Sequence, residues 1–273
     1  VRDHSTLVRT TVAKQTQVGQ VSSAAKKAKT KHVGEDSTAC GQLRTNLAAE
    51  EKFEEVRDRL LPTETFRQIL EWKKGWITGP GLKNIGNTCF CNAILQCLTY
   101  TAPLANFCLR GEHCNRIGKG ADHGTYDALL AMEQHVQNAF ACKQSVMTPT
   151  TIVDKLHRIG PGLQLGVQHD AHEFARMLVY DMHVADLKAY GFKDKPHSRP
   201  AQTGVIHSIF GGQMRSQVQC TNCKFKSNKY DAFLDLSIQI QTAQSVLQAL
   251  KAFTQDEVLD SANMYTCSNC KYK

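Results

Sequence analysis

The sequence predicts an α+β protein. From residue 80 to about 200 the apolar residues recur at helical spacing. Beyond 200 the period shortens to two, with Leu234, Leu236, Ile238 and Ile240 alternating with Asp235, Ser237 and Gln239. A duplicated Cys-x-x-Cys turn, at Cys220–Cys223 and again at Cys267–Cys270, ties together the strand-rich half.

The first 45 residues contain no Phe, Tyr or Trp and are rich in Thr, Ser, Gln, Ala and Lys. Such a segment buries too little apolar surface to offset its ordering entropy, so 1–45 is expected to be a disordered basic extension. It carries eight basic against three acidic residues, a net +5 of the chain's +8. The run Lys26-Lys27-Ala28-Lys29-Thr30-Lys31 reads as a nuclear address, a weak nucleic-acid patch or a solvated tail. Residues 46–79 form a helical, charged lead-in interrupted by Pro62, with Trp72 and Trp76 expected to pack just ahead of the next segment.

That segment carries most of the chemistry. In Gly81-Leu82-Lys83-Asn84-Ile85-Gly86-Asn87-Thr88-Cys89-Phe90 a glycine- and asparagine-rich loop gives way to a helix anchored by Ile94, Leu95 and Leu98. Cys89 falls at the helix start, where unpaired N–H groups and the macrodipole favour a thiolate. Asn84 offers an amide donor to a developing oxyanion. The alternative is a buried, inert thiol, which is how free cysteines commonly behave. Cys91 and Cys97 are expected to pack in the core.

Helices follow near Tyr126–Phe140, from Pro149 through Ile152, Leu156 and Ile159, and from Asp170. Met132, Met177 and Met182 are core candidates. Asp170 is a good N-cap, and Glu173 three residues on completes a capping-box-like pair. His172-Glu173 lacks the second histidine of a zinc-protease helix. A polar linker spans 193–200. Strands are expected around Met214–Val218 and Leu234–Ile240, with a short helix at Val246, Leu247, Leu250 and Phe253 between the knuckles.

Cys220, Cys223, Cys267 and Cys270 supply four thiolates, the closed tetrahedral set of a structural zinc site. Two disulfides or a redox pair are the competing readings. Eleven cysteines, seven of them outside the knuckles at irregular spacing, favour reduced thiols in the cytosol or nucleus and therefore zinc. The clustering of Cys108, His113, Cys114 and His123 is too irregular to argue for a second metal site. No apolar run approaches membrane-spanning length. The chain begins at Val1 and stops just after a knuckle, so both ends read as cuts and the chain is expected to be a fragment.

The run Gly81–Leu98, extended through Thr99-Tyr100-Thr101-Ala102-Pro103-Leu104-Ala105-Asn106, resembles the cysteine box of the ubiquitin-specific proteases, in a nuclear or nucleolar branch of that family. Gln168-His169-Asp170-Ala171-His172-Glu173-Phe174 is similar to that family's Gln-x-Asp-Ala-His-Glu-Phe segment, and the paired knuckles to its zinc ribbon. The resemblance covers roughly residues 64–273. It implies a papain-like cysteine peptidase, with a helical thumb over 80–200, β-rich zinc-ribbon fingers over 201–273, and an incomplete palm.

It implies further that Cys89 is the nucleophile and Asn84 an oxyanion donor. Asp170 and Glu173 would hold the basic tail of ubiquitin, in addition to or in place of capping. Ubiquitin and ubiquitinated proteins are the implied partners, zinc the structural cofactor, a monomer the expected state, and the nucleus or cytoplasm the compartment. The family's general base lies in a Gly-His-Tyr segment preceded by a Leu-Lys-Arg-Phe strand, and neither occurs in this sequence. His172 is therefore read as structural or substrate-facing, and low turnover is expected of the chain alone. A non-catalytic ubiquitin-binding scaffold is the alternative. A zinc-ribbon nucleic-acid binder ranks behind both, because the basic excess sits in the tail and the knuckles lack a basic-aromatic surface.

Overall fold

The computed structural model describes residues 6–13 (backbone only), 59–72, 79–118, 126–192, 198–259 and 263–273. In chain order the first elements are strand β1 (Thr6–Ala13), helix α1 (Thr63–Ile69), strand β2 (Gly81–Leu82), and helices α2 (Cys89–Thr99), α3 (Ala102–Leu109), α4 (Glu112–Ile117) and α5 (Ala128–Ala141). Next come strand β3 (Val146–Met147), helices α6 (Thr150–Val153), α7 (Leu156–Ile159) and α8 (Ala171–Ala189), a 3-10 turn at Ala201–Thr203 and helix α9 (Val205–Phe210). The last are strands β4 (Gly212–Gln219) and β5 (Lys226–Phe233), helix α10 (Val246–Phe253) and strand β6 (Glu257–Leu259). Mixed helices and strands accord with the α+β expectation.

The chain divides into two compact units. One comprises 56–212 with 232–237, the other 1–55, 213–231 and 238–273. The first is helical. Its core is built on Leu95, Leu104, Phe107, Leu129, Met132, Ile152, Phe174, Leu178 and Met182, all fully buried. Met132 and Met182 are thus core residues as expected, and Met177 packs against the core while partly exposed.

Helix α5 starts where Asp127 caps it by accepting the Leu130 N–H at 2.8 Å. Leu129, His135 and Val136 form its buried face, whereas Leu130 and Phe140 stay partly exposed. The single helix expected after Pro149 is two helices, α6 and α7. Bonds from Lys155 N–H to Ile152 O and from Arg158 N–H to Lys155 O tighten the chain between them. Ile152, Leu156 and Ile159 are buried all the same, because the two short helices present the same apolar side.

Buried polar groups tie the helices together. The Asn106 amide donates to Ile69 O and Glu71 O, both at 2.9 Å, and so fixes the end of α1. Trp72 sits 6.3 Å from Phe140 between ring centroids, while Trp76 lies outside the described residues. Asp186 accepts the Val205 N–H at 2.7 Å and pairs with Arg116 at 3.3 Å. Burial pushes its carboxyl up to about 6 against the pull of that guanidinium. His113 bonds Asp127 at 2.9 Å, and the Glu133 carboxylate accepts the N–H groups of His113 and Cys114. These residues are committed to packing, and Cys220, Cys223, Cys267 and Cys270 are the one cluster of metal-ligating type among the described residues. His123 lies outside them.

The second unit holds a four-stranded sheet in the order β5-β4-β1-β6. Strand β1 pairs antiparallel with β4 through Leu7↔Gln219 to Ala13↔Gln213, and with β6 through Thr6↔Leu259 to Val8↔Glu257. This corrects the expectation of disorder for residues 6–13. Thr6-Leu7-Val8-Arg9-Thr10-Thr11-Val12 is rich in β-branched residues, and a strand on either side supplies the ladder that local composition does not reveal. The rest of 1–45 lies outside the described residues.

A second correction concerns Leu234–Ile240. The strand ends at Phe233, and 234–240 is irregular. Leu234, Leu236 and Ile238 are half-buried while Asp235, Ser237, Gln239 and also Ile240 are exposed, so the alternation reports sidedness only as far as Ile238. Among the described residues no strand pairs with this segment, and sidedness without a ladder is not a strand. The strand over Met214–Val218 and the helix at Val246–Phe253 form as expected. No helix among the described residues is long and apolar enough to cross a membrane.

Candidate active site and metal centre

The cysteine loop runs from β2 to α2 and is held at both ends. At its start, Gly81 N–H donates to Ser145 O at 2.8 Å and Lys83 N–H to Met147 O at 2.9 Å, as β2 pairs parallel with β3. Asn92 and Gln96, one turn apart on α2, reach back to Leu82 O, Lys83 O and Pro80 O at 3.1–3.3 Å. At its end the chain enters α2 with Cys89 as the first helical residue.

Between these anchors the Asn84 side chain organises the turn. Its Oδ1 accepts from Gly86 N–H at 3.2 Å, Thr88 N–H at 3.0 Å and Thr88 Oγ1 at 3.3 Å. An oxygen so occupied assigns the amide orientation: Oδ1 is turned to the loop, and Nδ2 takes part in none of these bonds. Thr88 is fully buried beneath it. Gly86 at φ 127° and Asn87 at φ 52° make the turn possible, one by lacking a Cβ and the other by asparagine's tolerance of the left-handed region.

Cys89 is exposed at the first turn of α2, where the leading N–H groups have no carbonyl partner within the helix. Cys91 is fully buried, and desolvation pushes its thiol up to about 12, so it stays protonated and packs. Cys97 is exposed, against the expectation that it packs: it falls on the outer face of α2, away from the side that carries Leu95 and Leu98.

Asp170 caps α8, its Oδ1 accepting the N–H groups of His172 at 2.7 Å and Glu173 at 3.2 Å. Glu173 is exposed in the first turn. The His172 side chain is 71% exposed, and its Nε2 stands 4.0 Å from Asp235 Oδ2. Sequence reasoning missed His169. Its Nε2 accepts the Gln164 N–H at 3.0 Å, and its ring meets the edge of Phe90, the neighbour of Cys89, at 5.2 Å. Phe90 in turn packs on Phe174 at 5.6 Å, which joins the two motif-bearing helices.

The four knuckle cysteines converge in the other unit, with sulfur atoms within 4.8 Å of one another. Cys220 and Cys270 lie 3.7 Å apart, as do Cys223 and Cys267. A disulfide needs about 2.05 Å. Four sulfurs about 2.3 Å from a central tetrahedral ion lie roughly 3.75 Å from each other, so the spacing fits a divalent metal such as zinc.

Each knuckle is the same turn. Lys224 at φ 60° and Lys271 at φ 58° return their N–H groups to Cys220 O and Cys267 O. Asn222 donates to Cys270 Sγ and Asn269 to Cys223 Sγ, each at 3.7 Å, so each knuckle's asparagine orients a sulfur of the other knuckle. The Phe225 N–H holds the Cys223 thiol below its ordinary value, while burial pushes Cys220 up.

Fold and site together define a class: a protein with a loop-borne, helix-start thiol and a separate four-cysteine cluster that could hold a metal. The family model described as Ubiquitin carboxyl-terminal hydrolase matches residues 80–264. Human Ubiquitin carboxyl-terminal hydrolase 42 is 40% identical over 212 residues, covering 78% of this chain and 15% of that protein. Arabidopsis thaliana Ubiquitin carboxyl-terminal hydrolase 23 is 39% identical over 213 residues, covering 77% and 23%. Human Ubiquitin carboxyl-terminal hydrolase 17-like protein 6 is 40% identical over 218 residues, covering 79% and 50%.

Among solved structures, the SAGA DUB module of Ubp8, Sgf11, Sus1 and Sgf73 bound to monoubiquitin aligns with a TM-score of 0.56 at 24% identity, over 70% of this chain and 42% of that one. That likeness is one of fold. The chain belongs to the ubiquitin carboxyl-terminal hydrolase family, in its ubiquitin-specific protease type. It spans half or less of the length of these relatives.

Proposed function

We propose that this chain is the nucleophile-bearing and ubiquitin-gripping part of a thiol-dependent deubiquitinase, with a thumb over 80–200 and zinc-ribbon fingers over 201–273. The observation that carries the reading is the pairing of an exposed helix-start thiol, Cys89, with an Asn84 amide whose oxygen is committed to the loop. In this reading Cys89 Sγ attacks the carbonyl carbon of ubiquitin's C-terminal glycine, forming the C–S bond. The oxyanion is held by Asn84 Nδ2 and backbone N–H groups beside Cys89. Collapse breaks the C–N bond and expels a lysine or peptide amine, and water then frees ubiquitin from the thioester.

Asp170 and Glu173, both exposed at the start of α8, offer carboxylates to the basic ubiquitin tail. The four knuckle cysteines hold zinc, which stiffens the fingers. The sequence contains no Gly-His-Tyr segment, so the family's histidine that would accept the Cys89 thiol proton and return it to the leaving amine is not among these residues, and the chain alone turns over slowly. That same feature favours the second reading, a ubiquitin-binding scaffold that performs no chemistry.

The test is intact mass after incubation with ubiquitin carrying a C-terminal thiol-reactive group, with Cys89→Ala as control. One adduct, lost in Cys89→Ala, supports the deubiquitinase reading. Tight ubiquitin binding with no adduct supports the scaffold, and neither binding nor adduct overturns both.

A further inference from the structure

Beyond its two anchored ends, the cysteine loop is gripped at its apex. Asn87 Nδ2 donates to Gly166 O at 2.7 Å, and Gly166 N–H donates to Gly86 O at 3.0 Å. These two bonds join the loop to a segment 79 residues further along the chain. That segment is itself braced. Leu163 is buried, Gln164 N–H is taken by His169, and Leu163 N–H returns to Gly160 O at 2.9 Å. A Cβ on Gly160 would stand 2.5 Å from Met177 Sδ, so the base of the segment lies directly against α8.

We propose that the Asn87–Gly166 clasp positions the oxyanion donor, with Asn87 as a positioning residue for the reaction at Cys89. This rests on the reading of Cys89 as the nucleophile. The physical chain is short. The Asn84 amide keeps a fixed orientation only while Oδ1 holds its bonds to Gly86 N–H and Thr88 N–H, and the donor role of Nδ2 depends on that orientation. Those two N–H groups flank the Gly86–Asn87 peptide, the most permissive backbone in the loop. A rotation there breaks both bonds and releases the Asn84 amide. The clasp opposes that rotation by tying Gly86 O and the Asn87 side chain to a single residue of a braced segment. Catalytic donors lose effectiveness with small misplacements, so a clasp remote from the sulfur acts on the chemical step.

Two substitutions isolate the clasp. Asn87→Gly keeps the φ 52° backbone accessible and deletes the amide donor. Gly166→Ala attacks from the other side: nothing lies within 4 Å of the added Cβ, so its effect comes from the strain of Ala at φ 87°.

The experiment measures the affinity of each variant for ubiquitin and for ubiquitin ending in an aldehyde. Addition of the thiol S–H across the aldehyde C=O places a hemithioacetal oxygen where the oxyanion would sit. The ratio of the two affinities therefore reports the site chemistry apart from binding, and a purely structural role would not move it. Wild type should bind the aldehyde more tightly than ubiquitin. Both variants should keep ubiquitin affinity within about twofold and lose roughly tenfold of the aldehyde gain, with Tm little changed in Asn87→Gly. An undiminished gain in Asn87→Gly overturns the clasp and leaves the nucleophile intact. No gain in wild type overturns the nucleophile reading, and the clasp falls with it.

Discussion

Three thiols within nine residues of α2 meet three different fates, and burial decides among them. Cys89 and Cys97 face solvent, while Cys91 is sealed in the core with its thiol pushed up to about 12. His135 shows the same force acting on a base. It is fully buried, neither ring nitrogen has a hydrogen-bond partner among the described residues, and desolvation pushes its pKa down to about 4. In the unfolded chain it titrates near the ordinary value of about 6.5, so between these values the unfolded state binds the extra proton. Stability from this residue is complete above about pH 6.5 and is lost as the pH falls toward 4, by up to roughly 3 kcal/mol. His135→Leu should flatten that acid limb and raise stability at pH 5. Urea unfolding of both proteins at pH 5 and pH 7 tests this, and an equal difference at the two pH values would refute it.

At the scale of elements, helix α8 carries two superimposed roles at its first turn. Asp170 satisfies two backbone N–H groups, and the same carboxylate is proposed to meet a basic ubiquitin tail. Asparagine caps as well as aspartate but carries no charge. Asp170→Asn should therefore leave Tm unchanged while weakening ubiquitin binding several-fold, an effect that fades as salt rises. Asp170→Ala should additionally cost about 1 kcal/mol of stability. Unaltered ubiquitin affinity in Asp170→Asn would leave capping as the residue's one role.

At the scale of the whole molecule, the four-cysteine cluster proposed to hold zinc belongs to one compact unit and the cysteine loop to the other. The helical unit has its own apolar core, whereas the second unit gathers its four thiolates from knuckles 44 or more residues apart. A metal that joins such distant turns contributes folding free energy directly. Chelation should therefore speed amide exchange in β4, β5 and the knuckles while leaving α5 and α8 protected. Equal loss of protection in both units would show that the metal sustains the whole chain.

What the sequence determined alone was local and contiguous. The turn at Gly86–Cys89, the Asp170 cap, the helix near Tyr126–Phe140 and the twin knuckles each depend on residues a few positions apart, whose backbone chemistry is legible in order. Tertiary structure decided everything that needed a distant partner. It gave β1 its flanking strands, denied 234–240 a ladder despite alternating side chains, and turned Cys97 outward. It also brought Gly166 and His169 against the cysteine loop. The reason is physical: a propensity or a cap is set by neighbours in the chain, whereas burial and pairing are set by whichever surfaces meet when the chain folds.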